Sequence, residues 1–208
     1  MAAMALPEPA LRIPPLHQGD QLTREEFERR WELHPEIKKA ELINGMVFLE
    51  MTVSRWHGKP HSSLNAWLGV YASTRPEVEI LDNVTVRLGR DDLQPDVLVR
   101  RIDGGTSKVG EDNCIVGPPE LVVEVAASST SYDLFTKKEV YRRAGVAEYL
   151  VWQVYERRIS WWSLRDGEYE AIEPDRAGNL ESAAFPGLRL SPDSMLSGDM
   201  AAVLAALD

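Results

Sequence analysis

Pro119-Glu120-Leu121-Val122-Val123-Glu124-Val125-Ala126 reads as a buried strand with a carboxylate set deep inside it. Period-2 alternation puts Glu120, Val122 and Glu124 on one face and Leu121, Val123 and Val125 on the other. Glu120 stands at the strand entrance, where water is expected to reach it. Glu124 lies deeper, and an ionised carboxylate in an apolar layer is costly unless a cation or dense hydrogen bonding compensates it. The same problem arises upstream in Gln94-Pro95-Asp96-Val97-Leu98-Val99. There Pro95 suits the first position of a strand, since its missing N–H need not be paired. Downstream, the small residues from Ala127 lead into a helix predicted from about Asp133 to Ala144, with Gly145 as its stop. Asp133, Lys137 and Tyr141 recur at four-residue steps, so Lys137 and Tyr141 share a helix face. A strand, a short link and a helix allow a strand carboxylate and a helix side chain to face one pocket. A metal held by Asp96 and Glu124, with Lys137 nearby, accounts for all three residues together.

Working outward, Thr23-Arg24-Glu25-Glu26 has the form of a capping box, and Phe27 and Trp31 give the helix after it an apolar stripe that ends before Pro35. Asn44-Gly45 between Ala40-Glu41-Leu42-Ile43 and Met46-Val47-Phe48-Leu49 predicts a hairpin. On its residues alone Glu41 reads as an exposed strand residue. Residues 52–60 read as a loop, because Gly58 and Pro60 disfavour a helix there. The next helix is then expected to open at His61, with Leu64, Trp67, Leu68 and Tyr71 as its core stripe. On that reading His57 and His61 do not form a zinc pair, and His61 takes a surface or capping role. Residues 78–81 and 85–88 are predicted to pair with each other as antiparallel strands, and residues 103–113 to form a mobile loop without a phosphate-binding glycine pattern. Strands follow at 148–154 and 159–164, with Trp152, Trp161 and Trp162 read as packing residues, then an Asp166-Gly167 hairpin and a last helix near 196–207.

At 208 residues, with 44% hydrophobic and 27% charged residues, the chain belongs with soluble globular proteins. One domain is expected over residues 20–208, behind a flexible lead-in over residues 1–19 that carries four prolines. No apolar run approaches the ~18 residues of a transmembrane helix, and the uncharged start does not match a secretory signal. A cytoplasmic setting with no membrane partner is expected. The single cysteine, Cys114, excludes an internal disulfide and a cysteine-based zinc site. A net charge of −10 argues against nonspecific coating of nucleic acid. Basic doublets at Lys38-Lys39, Arg100-Arg101, Lys137-Lys138, Arg142-Arg143 and Arg157-Arg158 form a binding face only if they converge in space.

Phosphodiester hydrolysis needs hard oxygen ligands for Mg²⁺ or Mn²⁺ and benefits from an ammonium near the attacking water. Asp96, Glu124 and Lys137 supply that set. Taken in order, Glu41-Leu42-Ile43-Asn44-Gly45, Gln94 to Val99, Pro119 to Val125 and Lys137…Tyr141…Gly145-Val146-Ala147-Glu148-Tyr149 resemble the Uma-type restriction endonucleases of the PD-(D/E)xK nuclease superfamily. The resemblance spans roughly residues 20–190. It implies an α/β (α+β) restriction-endonuclease-like core, a mixed β-sheet flanked by helices, with an N-terminal helix and β-hairpin. It also implies Asp96 and Glu124 as metal ligands, Glu41 as an assisting carboxylate and Tyr141 as support. The superfamily lysine two residues after the glutamate is absent, since Ala126 stands there; Lys137, with Lys138 beside it, matches a lysine moved to the following helix. DNA is the implied substrate, and a homodimer suits an enzyme that cuts both strands of a two-fold duplex. The alternative is a nuclease-fold protein kept for binding or interaction, consistent with the acidic charge and with Ala126. A glycosidase using Asp96 and Glu124 leaves Lys137 unexplained.

Overall fold

Thr23 caps α1 (Arg24–Glu32), its Oγ1 accepting the Glu26 amide at 3.3 Å. Glu26 does not reach back to close the box; its carboxylate takes Arg29 and Arg30 instead. Phe27 is buried with Trp31 against it, ring centroids 5.4 Å apart. The predicted hairpin follows as β1 (Ala40–Ile43) and β2 (Met46–Leu49). Asn44 and Gly45 take φ of 53° and 79°, the two positive values that a type I′ turn requires. The structure, a computed structural model, describes residues 13–49, 53–127 and 131–207. The lead-in expected over residues 1–19 lies outside the described residues as far as residue 12. Beyond that point Leu16 is buried, and the Gly19 N–H donates to the Val47 carbonyl at 2.8 Å.

The next helix corrects the sequence reading. α2 (Arg55–Ala72) begins six residues before His61 and carries Pro60 inside it. Proline there removes only the amide that would meet the Trp56 carbonyl. The Ser62 and Ser63 hydroxyls bond back to the carbonyls of Gly58 and Lys59 at 2.9 and 3.2 Å. Pro60 itself is buried on the same stripe as Leu64, Trp67, Leu68 and Tyr71. Pairing is corrected as well. β3 (Val78–Asp82) and β4 (Val86–Leu88) do not pair: β4 turns at Gly89 into β5 (Asp91–Leu93), while β3 pairs with β6 (Val97–Arg101).

The segment read as a mobile loop contains the short pair β7 (Lys108–Val109) and β8 (Ile115–Val116). Its start is held by Glu120, which is buried and not wet. Glu120 accepts from the Arg101 and Thr106 amides, each at 2.9 Å. A Cβ on Gly105 would lie 2.7 Å from the Arg101 carbonyl and 3.0 Å from the Glu120 carboxylate, so this close approach needs glycine.

β9 (Leu121–Ala126) then crosses the centre of the molecule. The helix after it begins as a π-helical turn, Tyr132–Lys137, before α3 (Lys138–Ala144), which stops at Gly145 in the left-handed conformation, φ 86°. β10 (Glu148–Gln153) returns parallel to β9, and β11 (Arg158–Arg165) and β12 (Glu168–Ala171) extend the sheet antiparallel. The main sheet has the order β12-β11-β10-β9-β6-β3, and a second sheet has the order β2-β1-β5-β4-β8-β7. After the small pair β13 (Leu180–Glu181) and β14 (Arg189–Leu190), the single helix expected near residues 196–207 is two helices, α4 (Pro192–Ser197) and α5 (Met200–Ala205). Gly198 at φ 82° separates them.

This is a mixed α+β architecture of the restriction-endonuclease-like kind. Leu121, Val123 and Val125 face a core shared with α2 and the C-terminal helices, where Trp67 meets Trp161 edge-on at 5.9 Å. Val122 and Ala126 face a second core under α3 and the other sheet. Among the described residues no helix is long and apolar enough to cross a membrane.

Asp92 on β5 is buried, its Oδ1 without a hydrogen-bond partner and its Oδ2 3.9 Å from Arg87 Nε. Burial, with Glu28 adding to it, pushes its carboxyl up to about 7. The folded value lies above the unfolded one near 3.9. The folded state therefore keeps a proton that the unfolded chain has lost, and stability falls as pH rises from about 4 to about 7. Asp92→Asn is expected to match the wild type near pH 4 and exceed it at pH 8, gaining at most about 1.4 kcal/mol per pH unit across that window. Urea midpoints at the two pH values measure this, and equal gains at both would contradict it.

Candidate active site

Two adjacent strands bring the first carboxylates together. β6 and β9 pair with Val97 opposite Val123 and Leu98 opposite Val122, so Asp96, one step before Val97, falls opposite Glu124. Asp96 Oδ2 accepts the Val125 amide at 2.7 Å. The hairpin adds Glu41 from β1, buried and not exposed, its Oε1 accepting the Gln94 amide at 2.9 Å. The residue before Pro95-Asp96 thus ties the hairpin carboxylate to the strand that carries Asp96.

The helix supplies the cation. Lys137 Nζ lies 3.0 Å from Glu41 Oε1, 3.1 Å from Glu124 Oε1 and 3.8 Å from Asp133 Oδ1. The Tyr141 hydroxyl donates to the same Glu124 oxygen at 2.9 Å. Lys138, the other candidate, points elsewhere, its Nζ 3.7 Å above the Trp162 ring. Position 126 on β9 holds a buried alanine. The ammonium that a strand lysine would bring to Glu124 therefore comes from the helix. Glu41, Asp96, Glu124, Lys137 and Tyr141 thus lie in one cluster.

Histidine 57 was not expected there. With α2 running from Arg55, His57 and His61 share a face, their ring centroids 5.5 Å apart. His57 Nε2 lies 3.2 Å from Asp96 Oδ1, and its Nδ1 lies 3.1 Å from the Val125 carbonyl. A carbonyl only accepts, so Nδ1 carries a proton toward it. His61 Nε2 lies 2.7 Å from Asp82 Oδ1 and 3.1 Å from the Asp96 carbonyl. Lys39 Nζ stands 3.9 Å from Asp96 Oδ1. The sequence signal was present in part: stepping back along the core stripe from Leu64 reaches Pro60 and His57 at helical spacing.

The electrostatics are those of a crowded acidic site. Burial pushes the Glu124 carboxyl well above the usual range, and the charges of Asp96, Asp133 and Glu41 add to this against the opposing pull of Lys137. Burial by itself pulls the Lys137 ammonium down, but Glu124, Glu41, Asp133 and Asp96 outweigh it and hold its pKa well above the usual lysine value. Burial pushes Asp96 up, and the hydrogen bond and charge of His57, with Lys39 and the Val125 amide, bring it below the usual carboxylate range. Tyr132 Oη is buried without a hydrogen-bond partner, and its hydroxyl pKa is raised by burial and then by the charge of Glu41.

Hard carboxylate oxygens are the donors that Mg²⁺ or Mn²⁺ prefers. Glu41, Asp96, Glu124 and Asp133 are each buried, at 2–4% exposure, around one buried ammonium. The donor chemistry and the surplus of negative charge fit a divalent cation. Among the described residues no three acidic, histidine or cysteine side chains form a ready-made metal cage, and the Lys137 ammonium bridges Glu41 and Glu124.

No curated protein matches the chain. A putative nuclease of the DUF820 group from Anabaena variabilis has a similar crystal structure, with a TM-score of 0.66 at 18% identity. The match covers 85% of this chain and 98% of that one. The sequence profile of the Uma2 family, described as "Putative restriction endonuclease", matches residues 24–193, which contain every residue of the cluster. The chain belongs to the Uma2 family.

Proposed function

We propose that the chain is a nuclease that hydrolyses phosphodiester bonds in DNA, with Asp96 and Glu124 as ligands of Mg²⁺ or Mn²⁺. The observation that carries this reading is the buried set of four carboxylates, three of them within 4 Å of the Lys137 ammonium and the fourth, Asp96, facing Lys39 and His57. Such a surplus of buried negative charge is costly until a further cation balances it. When bound, the metal supplies Lewis-acid stabilisation of charge on the phosphoryl and leaving oxygens.

The remaining roles follow from this chain's own groups. Lys137 keeps its proton at neutral pH, so it acts as a fixed positive charge and hydrogen-bond donor toward the attacking water or the phosphate, and not as a general base. Tyr141 orients the Glu124 carboxylate, and the Gln94 amide holds Glu41 where Glu41 in turn holds Lys137. His57 steadies Asp96 from α2.

The bridge from Lys137 to both Glu41 and Glu124 specifically favours the second reading, a nuclease-fold protein that binds without cutting. One experiment separates the two. The purified chain is expected to nick or linearise supercoiled plasmid with Mg²⁺ or Mn²⁺, and a chelator is expected to stop it. Intact plasmid with either metal, together with no Mn²⁺ binding by calorimetry, would leave the non-catalytic reading standing.

A further inference from the structure

Beside the carboxylate cluster, on the α2 side of the main sheet, lies a cleft of about 190 Å³ with an apolar floor that includes Trp152 and Met195. Trp56 stands at its wall, 58% exposed. Arg55, Lys59 and Arg157 line it too, all exposed, and among the described residues no ion pair engages their side chains. This is where one of the basic doublets converges with other cations: Arg157 comes from the turn between β10 and β11, and Arg55 and Lys59 come from α2. Three unpaired cations around an exposed tryptophan are out of character for a chain of net charge −10. The first turn of α2 contains no acidic residue, and the Ser54 side chain does not cap it, so the open helix end adds to the positive field.

We propose that this cleft holds one unstacked nucleotide of a single-stranded nucleic-acid segment, its base on Trp56 and its flanking phosphates on Arg55, Lys59 and Arg157. An exposed aromatic face at the wall of a cleft lined by cations is the arrangement that binds single strands, where every base offers a face to stack on. In a duplex those faces are covered by neighbouring bases, so Trp56 has no free base face to stack on. The cleft is also smaller than the roughly 300–1,000 Å³ typical of pockets for drug-sized ligands, and its size suits a single ring.

The cleft and the cluster share a strand end. Trp152 is the register partner of Val125, whose N–H holds Asp96 and whose carbonyl meets His57, and Trp56 is the residue before His57 on α2. A strand seated in the cleft is thereby led toward Asp96. That last step rests on the nuclease reading, whereas the binding itself does not.

The test measures fluorescence anisotropy of a short labelled single strand of DNA and of its duplex, with the full chain and a chelator present so that nothing is cut. The single strand is expected to bind more tightly than the duplex. Trp56→Ala is expected to weaken that binding by about tenfold or more, while Trp56→Phe keeps most of it. The triple variant Arg55→Ala, Lys59→Ala, Arg157→Ala is expected to flatten the slope of log K against log salt by about 2. Binding of duplex as tight as single strand, no binding of either, or an unchanged affinity in Trp56→Ala would each overturn the proposal. Because all four side chains are exposed, circular dichroism of the variants should match the wild type. The two readings fail separately. Trp56-dependent binding in a chain that cuts nothing with Mg²⁺ or Mn²⁺ sinks the nuclease and leaves the cleft; cleavage with unaltered binding in Trp56→Ala does the reverse.

Discussion

Lys137→Met is expected to cost the fold about 3–5 kcal/mol at neutral pH, the range for breaking a buried ion pair by removing one partner. Methionine keeps most of the side-chain length, so the loss is chiefly one of charge. Glu41 and Glu124 lose their ammonium at 3.0 and 3.1 Å, and Asp133 its neighbour at 3.8 Å. The folded pKa of Lys137 is raised, so its own titration leaves its contribution intact below the unfolded value near 10.4 and removes it only as pH rises through the folded one. At pH 7.5 the wild type therefore has it in full. The deficit of the variant should be smaller in acid near pH 4 than in alkali, because a protonated Glu124 carboxyl, which burial favours, no longer needs a cation. Urea denaturation with a chelator at the two pH values measures this. An equal loss at both would assign the effect to packing instead.

Glu124→Gln is expected to move stability and activity in opposite directions. A glutamine oxygen can still accept from Lys137 and Tyr141, while one member of the carboxylate crowd disappears. The raised Glu124 pKa means that its contribution to stability is present below about 4.5 and is lost as pH climbs through the folded value. Glutamine has no such loss. The metal-free variant should therefore match the wild type in acid and exceed it increasingly toward pH 8. Cleavage should fall by more than the roughly 10–100-fold typical of residues that only orient a metal ligand. Asp96→Ala should abolish cleavage as well. A Glu124→Gln variant that cuts at the wild-type rate would remove Glu124 from the metal site.

What was legible in the sequence follows from what local chemistry can encode. Asn44-Gly45 announced its hairpin because only a few residue pairs tolerate two positive φ values in succession. Asp96 and Glu124 stood out because carboxylates in strand-forming apolar runs need a reason. Partner choice is not legible: residues 78–81 and 85–88 both read as strands, yet the strands formed there belong to different sheets, and nothing in their alternation says which neighbour each will find. Glu41 and Glu120 were read as wet because their partners, Lys137 and the Arg101 and Thr106 amides, are remote in sequence. His57 is not legible as a site residue because Gly58 and Pro60 read as helix breakers, whereas α2 absorbs both. The choice of Lys137 over Lys138 rested on a shared face with Tyr141, and both side chains do reach Glu124, although the helix enters through a π-helical turn that no periodicity revealed.

The alternation of β9 between two cores bears on folding as well as on chemistry. Leu121, Val123 and Val125 enter one core, Val122 and Ala126 the other, and either set of aliphatic side chains could fill either side. A central strand that is apolar on both faces does not specify its own pairing, and a slip of one residue turns it over. Glu124 removes that ambiguity. Inverted, it would point into the layer of Trp67 and Leu68, away from Lys137 and Tyr141, and Glu120 would lose its two amides. The carboxylate proposed to hold the metal is thus also the address that tells the newly folding strand which way up to lie.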